Sequence, residues 1–174
     1  MGKRVRPPLN DQVAELRAPG LMLLLYSPAA ADALRLKKNY ARCFPDGRAL
    51  VDKVNDGEFA ACGVRWAAAD YLLHFSATLD HAVIARASDH VRLGLRVTSS
   101  TVCVRGGDDL FDWSECPHDQ RLRVADGLYE VTACMLQPAR DLAVRIYFHF
   151  APVAALPDLG YLEVPELYGE APVA

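Results

Sequence analysis

A chain of 174 residues with a 52% hydrophobic content has the length of one domain and enough apolar material to bury roughly two-thirds of its unfolded surface. That excludes a disordered chain, and a net charge of -3 gives no general attraction to nucleic acid or to an anionic membrane. The charge is unevenly spread: Lys3, Arg4 and Arg6 form a basic head, and after Arg145 only acidic residues carry charge, at Asp158, Glu163, Glu166 and Glu170.

In chain order, residues 1–18 read as a loose lead-in with a turn of helix around Gln12–Arg17. Leu21–Tyr26 is a continuous apolar run, too short for a stable helix and right for a buried strand. Ser27-Pro28 is a helix start, Ser as the cap and Pro in the first turn, and it predicts a short helix from Ala29 to about Tyr40. Pro45-Asp46-Gly47 reads as a turn, and Ala49–Asp56 fits either regular structure. Phe59–Trp66, Tyr71–Phe75 and Ala82–Ala87 read as strands. Val91, Leu93, Leu95 and Val97 alternate with polar positions, the mark of a half-buried strand, and Thr101–Arg105 follows after Ser99-Ser100. An acidic-aromatic loop, Asp108–Glu115, comes next. A strand at Leu122 and Val124 turns at Asp126-Gly127 into Leu128–Leu136, a hairpin signal. Pro138 and Asp141 bound the turn before Leu142–Phe150, whose alternation is strict: Leu142, Val144, Ile146, Phe148 and Phe150 face one way, and Arg145, Tyr147 and His149 the other. Residues 151–174 read as an extended, proline-containing acidic tail. About eight strands at spacings near ten residues predict a mainly β, single-domain antiparallel β-sandwich with one short helix near the N-terminus.

No catalytic signature emerges. Five cysteines, Cys43, Cys62, Cys103, Cys116 and Cys134, follow no disulfide framework and read as buried free thiols in a reducing compartment. Zinc wants two tight ligand pairs. Cys116-Pro117-His118, with Cys103 and Cys134 on neighbouring strands, falls short of that pattern, so no metal is assigned. There is no nucleophile elbow, calcium loop or phosphate-binding glycine loop, so neither a catalytic residue nor a cofactor is assigned. The basic head runs into Pro7-Pro8-Leu9-Asn10-Asp11 and not into an apolar stretch, and Leu21–Tyr26 is far shorter than the about 20 residues a bilayer needs. A soluble, cytoplasmic protein is expected.

The feature that stands out is the acidic loop. Asp108, Asp109, Asp112 and Glu115 surround Phe111 and Trp113, offering aromatic anchors and carboxylates to a basic partner. The strand Val91–Val97, then Thr101-Val102-Cys103-Val104, the acidic loop and the hairpin through Asp126-Gly127-Leu128-Tyr129 also resemble a known group. These are the small bacterial β-sandwich proteins around competence protein J, nuclease-inhibitor-like, together with immunity-type proteins. The resemblance spans about residues 59–150. It implies a non-enzymatic binder that masks a basic nuclease or toxin. The charge balance, and basic residues that do not cluster with aromatics, predict no nucleic-acid or membrane partner. The alternative is a small-ligand-binding or hydrolytic protein with a pocket at one end of the sandwich, near Tyr147, His149 and Cys116-Pro117-His118. A homodimer through the edge of Leu142–Phe150 is a third reading.

Overall fold

The computed structural model describes residues 9, 11–17, 19–35, 44, 46–78, 80–87, 89–109, 115–136 and 143–167. Among these the chain is mainly β. Ten strands run in chain order: β1 (Gln12–Arg17), β2 (Met22–Tyr26), β3 (Phe59–Val64), β4 (Asp70–Ser76), β5 (Asp89–Val97), β6 (Thr101–Gly106), β7 (Arg121–Arg123), β8 (Gly127–Leu136), β9 (Val144–Val153) and β10 (Glu166–Leu167). Three short helices accompany them, α1 (Pro28–Arg35), α2 (Gly47–Asn55) and α3 (His81–Arg86), with one 3-10 turn at His118–Gln120.

The strands form two five-stranded sheets, ordered β1-β4-β9-β8-β5 and β10-β3-β2-β6-β7. Both sheets are mixed, which corrects the purely antiparallel expectation. Strand β4 runs parallel to β9, with Tyr71 opposite Val144 and Phe75 opposite Phe148, and β10 runs parallel to β3. Periodicity reveals which face of a strand is buried but not which strand lies beside it.

One hydrophobic core draws on both sheets. Phe75 stacks on Phe148 with ring centroids 5.1 Å apart, and Phe150 meets both Phe75 and Tyr129 edge-on. The alternation seen in the sequence is the alternation of burial here. Val144, Ile146, Phe148 and Phe150 are buried, while Arg145 is exposed and Tyr147 and His149 are half-buried. Strand β9 is hydrogen-bonded to β4 on one side and β8 on the other. It therefore has no free edge, and the dimer expected through the Leu142–Phe150 edge loses its basis. Leu142 itself, and the turn at Pro138 and Asp141, lie outside the described residues.

Three local readings are also corrected. Gln12–Arg17 is a strand and not a helical turn. Its residues are good helix formers, but Ala14 and Leu16 bury against the core while Val13, Glu15 and Arg17 do not, and β4 supplies the ladder. Ala82–Arg86 of the strand expected at Ala82–Ala87 belongs to a helix, and Ala87 follows its end. The Asp80 carboxylate accepts from the Ala82 and Val83 amides at 2.9 and 3.3 Å, and that cap outweighs the β preference of Val83 and Ile84. Asp46 is likewise a cap, accepting from the Ala49 amide at 3.0 Å and starting α2, not a turn residue. The predicted helix after Ser27 covers Pro28–Arg35; residues 36–40 are outside the described set. The buried Ser27 hydroxyl accepts from the Thr98 amide and lies 3.2 Å from the Thr101 carbonyl, tying the β5–β6 turn to the head of α1. No described helix is long and apolar enough to cross a membrane.

Candidate functional site

Strand β6 leads into the acidic loop, and its last turn sets the loop's base. Arg105 is 4% exposed, and its Nη2 donates to Asp109 Oδ1 at 2.8 Å. The other carboxylate oxygen of Asp109 accepts from the Gly106 amide at 2.9 Å. Burial pushes the Asp109 carboxyl up, but the bonds from Arg105 and Gly106 outweigh it and hold it below the ordinary 3.8. Asp109 is therefore an anion at neutral pH, bound to a buried cation. Gly106 is required by space: a Cβ there would lie 2.4 Å from the Pro19 carbonyl oxygen. Asp108 is exposed, next to Gly20.

The far end of the loop is held by a second arginine. Arg121 Nη2 donates to Glu115 Oε1 at 2.9 Å, and the same guanidinium donates twice to the Cys116 carbonyl, at 2.9 and 2.6 Å. The Glu115 carboxylate nevertheless stays 79% exposed. Phe111, Asp112 and Trp113 lie outside the described residues.

Beneath this second clamp is a cavity of about 240 Å³ lined by Tyr26, Asp32, Cys103, Glu115, Cys116 and Arg121, among others. Tyr26, Cys103 and Arg121 lie side by side across three strands, because Cys103 is in register with both of the others. The four described cysteines, Cys62, Cys103, Cys116 and Cys134, are free and buried. Of those weighed as metal ligands, Cys103 and Cys116 meet, His118 is exposed beside them, and Cys134 is in the other sheet. Among the described residues no group of three or more His, Cys, Asp or Glu could hold a metal ion.

The alternative pocket is divided by the fold. Tyr147 and His149 do line a cavity, of about 750 Å³, between α3 and the β4-β9-β8 face, but Cys116 lines the other one. His74, one strand over, stacks on Tyr147 with centroids 4.5 Å apart and planes 8° from parallel. Its Nε2 is buried with no hydrogen-bond partner among the described residues. Burial first, then the Arg145 charge, lowers the His74 pKa, while Asp11 opposes them. His149 Nε2 lies 3.3 Å from the Ala77 carbonyl.

The sequence reading missed Arg105, Arg121 and His74. Arg105 carried a signal, since it sits two residues from Cys103 on an otherwise apolar strand. A buried charge on such a strand needs a partner, and Asp108 and Asp109 follow within four residues. His74 carried none, because its stacking partner is remote in sequence.

No protein-family model matches the chain, and no curated protein does. Two solved structures resemble it. One is described as crocagin biosynthetic gene J, 12% identical, covering 80% of this chain and 97% of that one with a TM-score of 0.46. The other is ComJ of Bacillus subtilis, described as an inhibitor of the DNA degrading activity of NucA, 13% identical, covering 84% and 98% with a TM-score of 0.46. The second belongs to the group that the sequence resembles.

Proposed function

We propose that the two sheets are the halves of a single-domain β-sandwich that works without catalysis, by binding another protein through the acidic loop of Asp108, Asp109, Phe111, Asp112, Trp113 and Glu115. The observation that carries this reading is the double clamp. The loop leaves the sheet at an ion pair to the buried Arg105 and returns at the Arg121 bonds to Glu115 and the Cys116 carbonyl. A segment whose ends are fixed in this way loses less conformational freedom on binding, so more of its contact energy appears as affinity. In this reading Asp109 and Glu115 hold the loop, while Asp108, Asp112, Phe111 and Trp113 meet the partner. Carboxylates around aromatic anchors fit a basic cleft, and a nuclease or toxin that binds nucleic acid offers one. The test is calorimetric titration of the full chain with a panel of basic nucleases and nuclease toxins. Asp112→Ala with Trp113→Ala should keep the circular dichroism spectrum and weaken binding by at least about thirtyfold, as loss of one hot-spot anchor does. Unchanged affinity overturns the reading.

The cavity under α3 favours a second reading, a small-ligand site. Its support is the stacked His74–Tyr147 pair with an unpartnered buried ring nitrogen, a place where a planar ligand with one hydrogen-bonding group would fit. Nuclear magnetic resonance screening with aromatic fragments tests it. Shifts confined to His74, Tyr147 and His149, and lost in His74→Ala, support the site; an unmoved spectrum rejects it.

A further inference from the structure

The acidic loop separates Cys103 from Cys116 in the chain, and the fold brings the two sulfurs together. Both line the small cavity under the Arg121 clamp, and their sulfurs interact directly, Cys103 holding the proton and Cys116 the charge. Two guanidiniums, those of Arg105 and Arg121, bear on Cys116. As a thiol, Cys116 has the Pro117 and Gln120 carbonyls within 3.6 Å to receive its proton. As a thiolate it has the charges of these two arginines beside it. The sulfur is thus supplied with partners in both protonation states, an arrangement that a merely space-filling cysteine does not need.

The other described cysteines lack it. Cys62 is fully buried and its thiol is pushed up to about 12 by burial alone; Cys134 is raised by burial too. The hydrogen bond from Cys103, then the Arg105 charge, the Val104 amide and the Arg121 charge carry Cys116 below the ordinary thiol value against the cost of burial. The same hydrogen bond, and burial after it, raise Cys103. The remaining ionisable groups around the pair are Tyr26, Asp32, Glu115 and Asp109. Asp109 and Glu115 are each spoken for by an arginine. Cys116 is 5% exposed, onto the small cavity.

We propose that Cys103 and Cys116 are a peroxide-reactive dithiol, with Cys116 the attacking sulfur and Cys103 the resolving one. The Cys116 thiolate attacks one oxygen of hydrogen peroxide. The O–O bond breaks, hydroxide leaves and takes up a proton to become water, and Cys116 becomes a sulfenic acid. The Cys103 sulfur then attacks the sulfenic sulfur, the S–O bond breaks, and a second water leaves with the Cys103 proton. One peroxide has been reduced to two waters, and two thiols have been oxidised to one disulfide. The proposal does not rest on the loop's role as a binding surface, although the disulfide would close the ends of that loop.

The test is peptide mass mapping of the full chain after hydrogen peroxide and then alkylation of the remaining thiols. One disulfide, Cys103–Cys116, is expected, with Cys62 and Cys134 recovered alkylated. In Cys103→Ser, dimedone should label Cys116; in Cys116→Ser, Cys103 should stay reduced. Without oxidant, iodoacetamide should label Cys116 at least about tenfold faster than Cys134 at pH 7, and lowering the pH from 8 should slow Cys116 less than the roughly tenfold fall of an ordinary thiol. The wild-type map needs no variant to fold. A map in which Cys116 stays a thiol, or pairs with any cysteine other than Cys103, overturns the proposal.

Discussion

Arg105 shows how one buried charge organises its surroundings. It could not sit on an apolar strand unpaired, and the chain just after β6 gives it Asp109. Asp109→Ala removes the carboxylate that Arg105 bonds at 2.8 Å. The cost by urea denaturation should be about 2 kcal/mol, short of the ~3–5 kcal/mol for breaking a fully buried pair because the Asp109 side chain is 39% exposed. His74 makes a separate prediction, on pH. Its folded pKa lies below the unfolded 6.5, so the unfolded chain takes up the proton first. Stability from this group is complete above pH 6.5 and is lost as the pH falls through the lower folded value. Comparing melting temperatures at about pH 7.5 and about pH 5.5 should show a smaller acid loss for His74→Phe than for wild type.

At the scale of elements, β4, β5, β8 and β9 were legible because their apolar residues alternate over seven to ten positions. Gln12–Arg17 and His81–Arg86 were not, and for opposite reasons. The first is made of helix formers that a neighbouring strand captured. The second holds β-branched residues that a cap overruled. The helix prediction follows from its cap. Asp80→Ala removes the acceptor for two amides and should cost about 1 kcal/mol by urea denaturation, with α3 amides exchanging faster with deuterium. The acidic loop was legible as composition, a cluster of carboxylates and aromatics. Its clamps were not, because they depend on Arg105 and Arg121, and only the pairing of β6 with β7 brings those two arginines to the same end of the sheet.

For the whole molecule, the mainly β class could be read from the sequence, but the two parallel pairings could not. Nothing in the strand at Tyr71–Phe75 announces that its neighbour begins at Val144. The β4–β9 pairing places Tyr147 beside His74 and encloses β9 within its sheet, removing one expected interface. The partner surface proposed above is the acidic loop. Calorimetric titration of the full chain against a panel of basic nucleases and nuclease toxins, at low and at high salt, tests that claim most directly. The account predicts a one-to-one complex that weakens as salt screens the carboxylates and is largely lost in Asp112→Ala with Trp113→Ala. A complex that survives both the salt and the double substitution would contradict it.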